Sequence, residues 1–449
     1  MDQNPTSVQF KEALKFWLKL GFISFGGPAG QIATVHHELV EKQHWISEKR
    51  FLHALNYCML LPGPEALQLV IYMGWLLHRT IGGVVAGLLF ILPALLLLIA
   101  LSIIYMTFGS TLLISGIFLG IKPAVTAIVI QAGYKIGKRI LKTPFQFAIA
   151  LCALISIFIS IPYPIIIFAA GLLGWLAQRY APSWLRLSST QHGSNNQSDD
   201  FDAVINDSSS QLPHTQFNQL RFLKILVISI LLWALPVAIL IQIWGINGIY
   251  AQLAIFFSKA ALLTFGGAYA VLPYVFQSAV EQFHWLSATQ MMDGLALGET
   301  TPGPLIIVVA FVGYIAAFLN TAFVESPILS GTLGACIVSW FIFLPSFCFI
   351  FLGGPFIESS RHEFKLAPIL TGISCAVTGV ITSLSLFFMY HTVFPIGMGA
   401  NFSLLQSGFS VTLIVLSTIA LLRWQLSIIQ LLLACAVIGL LWQWCILGI

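Results

Sequence analysis

Apolar positions in this chain come in long blocks, not in the alternation of a strand or the one-sided stripe of a surface helix. Two blocks, GVVAGLLFILPALLLLIALSIIY at 83–105 and LKILVISILLWALPVAILIQIW at 223–244, reach or exceed the roughly 20 residues a helix needs to cross a hydrocarbon core. Other blocks are cut short by glycine and proline. Residues 10–25, 28–40, 51–61 and 65–77 hold 16, 13, 11 and 13 residues; FGG at 25–27 interrupts the first pair and PGP at 62–64 the second. None of the four crosses a bilayer comfortably alone. The pattern predicts two re-entrant helical hairpins whose tips, FGG and PGP, meet near the midplane. Kinked full spans are the competing reading.

The same breaks return 240 residues later. Aligned without gaps, residues 16–66 and 256–306 share 15 identities in 51 positions, among them Lys19/Lys259, both FGG triplets, Glu41/Glu281, His44/His284, Trp45/Trp285 and both PGP triplets. Further on the offset becomes 252, pairing Pro93 with Pro345, Gly120 with Gly372 and Ala124 with Ala376. This is duplication at the scale of half a protein. Between the halves lies SWLRLSSTQHGSNNQSDDFDAVINDSSSQLPHTQFNQ at 183–219, whose Ser, Asn, Gln and Asp content predicts a loosely ordered or disordered linker.

Composition agrees with the blocks. Of 449 residues 58% are hydrophobic and 8% charged, where soluble domains carry about 25% charged residues. The chain therefore reads as an all-α polytopic membrane protein. The opening MDQNPTSVQFKEAL carries acids and no short apolar core with a cleavage site, so no signal peptide is expected. A formal charge of +4 is too small to imply a nucleic-acid partner. Seven scattered cysteines form no CxxC pair and read as small buried residues, and no metal or other cofactor is expected.

Lysine and arginine favour cytoplasmic loops and so report orientation. In the first half the loops holding Lys42, Lys49 and Arg50, then Arg79, then Lys135, Lys138, Arg139 and Lys142 are basic. Their second-half equivalents, near 277–290, 320–327 and 391–402, hold no Lys or Arg. The complementary loops reverse the bias: 108–112 is uncharged where its partner ESSRHEFK carries Arg361 and Lys365, and the turn at 161–164 is uncharged where Arg423 marks its counterpart. Halves of opposite orientation need an odd number of crossings between them, and residues 223–244 supply the extra one. The expected organisation is a first repeat at 1–182, a polar cytoplasmic linker at 183–221, a connecting transmembrane helix at 222–246 and an inverted second repeat at 247–449. The N-terminus is then cytoplasmic and the C-terminus periplasmic. This is the plan of an inverted-repeat transporter.

Breaks at membrane depth are tolerated where protein or a water-filled cavity satisfies the freed backbone. A helix that starts after a break aims its free N–H groups and the positive end of its dipole at that cavity, which suits an anion. Four such starts, near Gly27, Pro64, Gly267 and Pro304, point to a binding site. The plainer alternative is that Gly and Pro only permit close packing.

The duplicated motifs, FGGP-type at Phe25–Pro28, HWIS-like at His44–Ser47 and His284–Ser287, LPGP at Leu61–Pro64 with its partner at Thr301–Pro304, and a later LP, resemble the chromate ion transporter family in its two-domain form. The resemblance covers nearly the whole chain outside the linker. It implies a protein of the bacterial cytoplasmic membrane with about thirteen membrane segments, which exports chromate and treats sulfate as a similar oxyanion. Homodimerisation stays open. After the first PGP stands Glu65, where the family pattern has a small residue. A negative charge there weakens dianion binding unless it is protonated or turned away, and it puts substrate identity in question.

The candidate substrate-binding residues are Lys19, Ser24, Gly26, Gly27, Gly63, Lys259, Thr264, Gly266, Gly267, Thr301 and Gly303. Lys19 and Lys259 each lie two turns before an FGG and would compensate anion charge, or snorkel to the interface. Ser24, Thr264, Thr300 and Thr301 either donate to an oxyanion or cap helix ends. Gln31, Asn56 and Gln68 are polar residues of the first hairpins without identical partners. Glu65, Lys122 and Glu299 are candidates for ion coupling or charge pairing. Glu41, His44, Trp45 and their repeats read as structural, with Trp as an interface anchor. His36 and His37 beside Glu38 read as a solvated face before a metal site. The competing transport reading is proton-coupled movement or exchange of sulfate or another oxyanion, with Glu65 or Glu299 titrating. A membrane enzyme for lipid-linked phosphates would need a cluster of Asp, His or Arg that the chain lacks, and no GxxxxGK[ST] motif occurs.

Overall fold

The computed structural model describes residues 8–25, 27–109, 111–184, 203–205, 214–320, 326–359, 367–394 and 404–447. Among these the chain is almost wholly helical. The first half comprises α1 (Phe10–Ile23), α2 (Gly27–His36), α3 (Glu48–Cys58), α4 (Glu65–Phe108), α5 (Leu112–Ile140), α6 (Pro144–Phe158) and α7 (Tyr163–Tyr180). Then come α8 (Gln219–Trp244), and α9 (Ile249–Leu262), α10 (Ala268–Phe276), α11 (Ala288–Thr300), α12 (Val308–Leu319), α13 (Pro327–Ser359), α14 (Ala367–Val393), α15 (Leu404–Leu422) and α16 (Ile428–Leu447). Seven of these helices are long and apolar enough to cross a membrane, and large apolar side chains such as Leu96, Phe168, Leu231 and Leu433 face outward, as a lipid solvent requires. The protein is a multi-pass membrane protein.

The repeat is built into the backbone. A wide π-type turn follows α2 at His37–Lys42, and another follows α10 at Gln277–Gln282, 240 residues on. Each ends at a histidine in the left-handed region, His44 (φ 52°) and His284 (φ 51°). The serine three residues later caps the next helix: Ser47 Oγ accepts from the Arg50 N–H and Ser287 Oγ from that of Gln290. The tryptophan between them is buried, not placed at an interface. Trp45 packs on Phe16 at 4.7 Å and Trp285 on Phe256 at 5.5 Å. So the His-Trp-x-Ser motif is a hinge, a core anchor and an N-cap in four residues.

Both kinds of break close helical hairpins. Phe256 of α9 meets Tyr274 of α10 at 5.1 Å, and Tyr57 of α3 meets Tyr72 of α4 at 6.0 Å, contacts a straight or kinked span cannot make. α4 itself folds back at His78 and Arg79, whose backbone is non-helical, so residues 65–77 lie against those after 80, with Gly74 against Gly82 and Ala86. α12 lies on α13 in the same way. Residues 66–76 and 305–317 are buried on all sides and form the centre.

The halves interlock around this centre. α5 and α14 run antiparallel, with Thr126 on Thr392 at 2.9 Å, Gly133 facing Ile381 and Gly137 facing Thr378. α4 and α13 cross likewise, Gly83 facing Phe351 and Gly87 facing Phe347. α5 also packs on α15 and α16, and α14 on α6 and α7. Glycine lets backbones touch there: a Cβ on Gly120 would lie 1.8 Å from the Cys435 carbonyl oxygen, and one on Gly372 would lie 2.3 Å from that of Ala170.

Two expectations change. Most of the linker lies outside the described residues, but 203–205 adds a short parallel bridge to the hinge after α2: Val204 N–H donates to His44 O, Ile205 N–H to Trp45 O and Ser47 N–H to Ile205 O, at 3.0, 3.1 and 3.0 Å. Ala203 and Ile205 are buried by it, the apolar dipeptide steps that a polar composition hides. Of the cysteines, Cys58, Cys375 and Cys435 are buried, while Cys152, Cys336 and Cys445 lie on the outer surface; all seven are free.

Candidate functional site

The four breaks come together, and each is held by the opposite half. Gly63 N–H, in the first PGP, donates to Thr264 O just before the second FGG, at 2.7 Å. Gly303 N–H, in the second PGP, donates to Ser24 O just before the first FGG, at 2.8 Å. These two bonds are the same bond read 240 residues apart. The FGG tips also approach one another: a Cβ on Gly27 would sit 4.0 Å from the Tyr269 ring, and one on Gly267 would sit 3.8 Å from Pro28. Gly26 lies outside the described residues.

Glycine is required at the PGP tips for two reasons. Gly63 and Gly303 have φ of 133° and 91°, and each carries a crowded Cβ position. At Gly63 a Cβ would meet the Gln68 amide at 2.5 Å and Ser346 Oγ at 2.7 Å; at Gly303 it would meet Ala94 Cβ at 2.9 Å and Phe90 O at 3.1 Å. Ser346 and Ala94 are themselves repeat partners at the 252 offset.

Around these tips the helix starts are open. α4 and α10 begin with Pro64 and Gly267 as N-caps, and the short 3₁₀ turn Leu305–Ile307 ahead of α12 begins at Pro304; none carries a side-chain cap bond. Free backbone N–H groups at helix starts attract negative charge. The Gln31 amide donates to Gly303 O, and the Gln68 amide donates to Pro62 O at 2.8 Å. Beside Gly63, Ser346 Oγ and Gln68 Oε1 are buried without any hydrogen-bond partner. A hydroxyl with no acceptor in such a place is unusual, because buried polar groups are normally paired. Ser346 carries no signal in the sequence beyond its place after Pro345. Asn56 is exposed on α3.

The hydroxyls singled out in the sequence are engaged locally. Ser24 donates to Leu20 O and Thr264 to Ala260 O, both at 2.7 Å; Thr300 donates to Leu297 O and Thr301 to Gly298 O, both at 2.8 Å. A hydroxyl has one proton, so all four close their own helix ends here.

The charged candidates separate. Lys19 pairs with Glu38 at 3.2 Å, an acid that also takes Lys42, and its side chain is half exposed. Lys259 lies on the outer side of α9, in an apolar groove of about 880 Å³ lined by Phe168, Trp175 and Tyr274 among others. Lys122 pairs with Asp293 of α11 at 3.3 Å, and the Tyr105 hydroxyl donates to the same carboxylate at 2.9 Å. Glu299 is buried and accepts from Tyr269, the residue that faces Gly27, at 2.8 Å. Glu65 is the first residue of α4 and is half-buried directly behind the first PGP. Asp293 escaped the sequence reading because its repeat partner is His53. Among the described residues no group of three His, Cys, Asp or Glu is placed to hold a metal; His36 and His37 lean on Glu41, and His36 also on Glu48.

The comparisons with known proteins are consistent with one another. The family described as "Chromate transporter" matches residues 11–175 and 251–440, one stretch in each half. The chain is 33% identical over 381 residues to the chromate transport protein of Pseudomonas aeruginosa, covering 84% of this chain and 80% of that one. It is 28% identical to the chromate transport protein of Cupriavidus metallidurans, over 83% and 80% of the two chains. An uncharacterized transporter of Methanocaldococcus jannaschii is 26% identical over 86% and 85%. No solved structure matches.

Proposed function

This chain belongs to the chromate transporter family, and from that premise we propose that it carries chromate out of the cell through a site at its four helix breaks. The observation that carries the reading is the pair of reciprocal bonds, Gly63 N–H to Thr264 O and Gly303 N–H to Ser24 O, which gather open helix starts from both halves at one place. A tetrahedral dianion there meets several backbone N–H groups at once. The unpartnered Ser346 hydroxyl beside Gly63 is a further donor. The substrate-binding set is then Gly27, Gly266 and Gly267 with Ser346, while Gly63 and Gly303, whose N–H groups are committed to Thr264 O and Ser24 O, join the tips. Lys19, Ser24, Thr264 and Thr301 hold the hairpins that present the site, and Lys259 lies outside it. Sulfate, equal in charge and shape, competes for the same site. Ser346→Ala is expected to raise KM for both anions severalfold, read from initial rates in vesicles.

The inverted topology of the repeats belongs to the same proposal. Helices that correspond between the halves, α5 with α14 and the second part of α4 with α13, run antiparallel and are long enough to span. That arrangement, with the basic loops of the first half turned to the cytoplasm, supports a cytoplasmic N-terminus and linker in the bacterial inner membrane. The hairpins would then be re-entrant, and transport would proceed by moving one hairpin set against the other.

Membrane potential is a sufficient driving force. One charge moved through 100 mV is worth about 2.3 kcal/mol, so expelling a dianion gains about twice that and sustains a gradient beyond a thousandfold. The test is chromate uptake into everted vesicles with potential and pH gradient imposed separately. Uptake driven by an inside-positive potential, inhibited by sulfate and indifferent to the pH gradient, is the expected result. Dependence on the pH gradient alone would replace it with the proton-coupled reading, in which Glu65 or Glu299 titrates. Absence of chromate movement under either gradient would reject chromate as the substrate.

A further inference from the structure

Lys122, Asp293 and Tyr105 come from α5, α11 and α4, and they meet although no two of them are repeat partners. Asp293 is only 3% exposed, whereas the Lys122 side chain keeps 24% of its surface open. Their charges lie 3.3 Å apart, yet Asp293 Oδ1 accepts no aligned hydrogen bond, and the other oxygen is engaged by Tyr105. The pair attracts without locking.

A second ion pair sits closer. Arg50 of α3 meets Glu358 of α13 at 2.7 Å and the Tyr72 hydroxyl donates to the other Glu358 oxygen, while Arg50 Nε has no partner; the two side chains are 13% and 8% exposed. Arg50 and Asp293 occupy nearly the same part of repeat-related helices, since Arg50 corresponds to Gln290, one turn before Asp293. The fold thus uses one location twice, once with a close pair at 2.7 Å and once with a looser one at 3.3 Å. The register of Lys122 also matters. In α14 its place is taken by Ser374, whose Oγ lies 4.0 Å from the Cβ position of Gly266, so that register faces a break.

We propose that Asp293 is a built-in surrogate for the transported anion: it holds Lys122 in the empty carrier and yields it when an oxyanion enters. This rests on the oxyanion reading given above. A bare ammonium inside the protein is costly, so the empty state needs a resident counter-charge. A carboxylate with one charge, part of it already shared with the Tyr105 hydroxyl, is a weaker partner than a dianion. Lys122 is then a substrate-binding residue, and Asp293 and Tyr105 are positioning residues that set how readily it is released.

The proposal makes the two members of one ion pair act in opposite directions. Lys122→Met is expected to raise KM for chromate and sulfate about tenfold, and Asp293→Asn to lower it about tenfold with a slower turnover, because the anion is then released reluctantly. Tyr105→Phe leaves the carboxylate's charge unshared and should raise KM moderately. A salt bridge that only supports the fold would reduce the amount of assembled protein in both variants and leave KM of the remainder alone. The experiment measures initial rates against concentration for the full chain in proteoliposomes, with chromate and sulfate as probes and rates scaled to folded protein. An unchanged or raised KM in Asp293→Asn overturns the surrogate role. If that variant does not assemble, an unchanged or lowered KM in Tyr105→Phe does so instead. Wild-type protein that moves neither anion would reject the oxyanion reading itself, a result distinct from a wild type that transports and a variant that fails to tighten.

Discussion

Gly303→Ala protein is expected to assemble poorly and to transport nothing above background. A side chain at φ 91° costs about 1–2 kcal/mol on backbone grounds alone. The new methyl also has no room, with Ala94 Cβ at 2.9 Å and the Phe90 carbonyl oxygen at 3.1 Å, and overpacking of this kind costs about 1–3 kcal/mol. Together these approach the lower end of a whole domain's stability, about 5 kcal/mol. The functional loss has a separate cause. Moving Gly303 breaks its N–H bond to Ser24 O and displaces the carbonyl held by Gln31, so the second PGP no longer meets the first FGG.

Gly63→Ala should be gentler on assembly and equally damaging to transport. Its nearest neighbours are ends of side chains, the Gln68 amide and Ser346 Oγ, which can swing aside, but they swing out of the site. Gly27→Ala meets nothing closer than the Tyr269 ring at 4.0 Å and bears only the backbone penalty. Thermal unfolding of the purified variants should therefore rank them with Gly303→Ala least stable and Gly27→Ala most. A Gly303→Ala protein with wild-type unfolding temperature and transport would show that the tips are not the packed junction described here.

What could be read from the sequence was local chemistry written twice. Gly and Pro impose their backbone consequences wherever they stand, so FGG and PGP announced breaks, and repetition at 240 separated design from accident. The His-Trp-x-Ser motif was visible as a repeat, but its division of labour was not, because burial of Trp45 and Trp285 against Phe16 and Phe256 is a tertiary fact. Pairing between the halves was also out of reach. Nothing in the chain says that the first PGP bonds the second FGG, since each triplet is equally compatible with its own half. Asymmetric partners were the hardest: Asp293 stands opposite His53 and Ser346 opposite Ala94, so no repetition drew attention to either, while Lys122, opposite Ser374, stood out only by its charge within an apolar segment. Lys19 illustrates the converse, because repetition at Lys259 suggested a shared role. The structure gives Lys19 an acid, Glu38, and leaves Lys259 in an apolar groove, as the partner position of Glu38 is Ser278.

Removal of either member of the Arg50–Glu358 pair is expected to be the most damaging charge change in the chain. Arg50 Nη2 lies 2.7 Å from Glu358 Oε2, with side chains 13% and 8% exposed, and Tyr72 occupies the other oxygen. Arg50→Met leaves a buried carboxylate with only a tyrosine for company, and Glu358→Met strands a buried guanidinium. Breaking a buried pair in this way costs about 3–5 kcal/mol, whereas replacing both members with apolar groups is often neutral. The double variant Arg50→Met/Glu358→Met should therefore recover much of the stability that either single change loses, and a double-mutant cycle on unfolding would show strong coupling. Transport should not recover with it. The pair ties α3, which leads into the first PGP, to α13, which carries Ser346 beside that PGP, so an apolar replacement keeps the fold and loosens the alignment of the tip. Recovered stability with little transport assigns the pair to positioning the site. Full recovery of both would make it a device of folding alone, and additive losses in the cycle would deny that the two charges act as a pair.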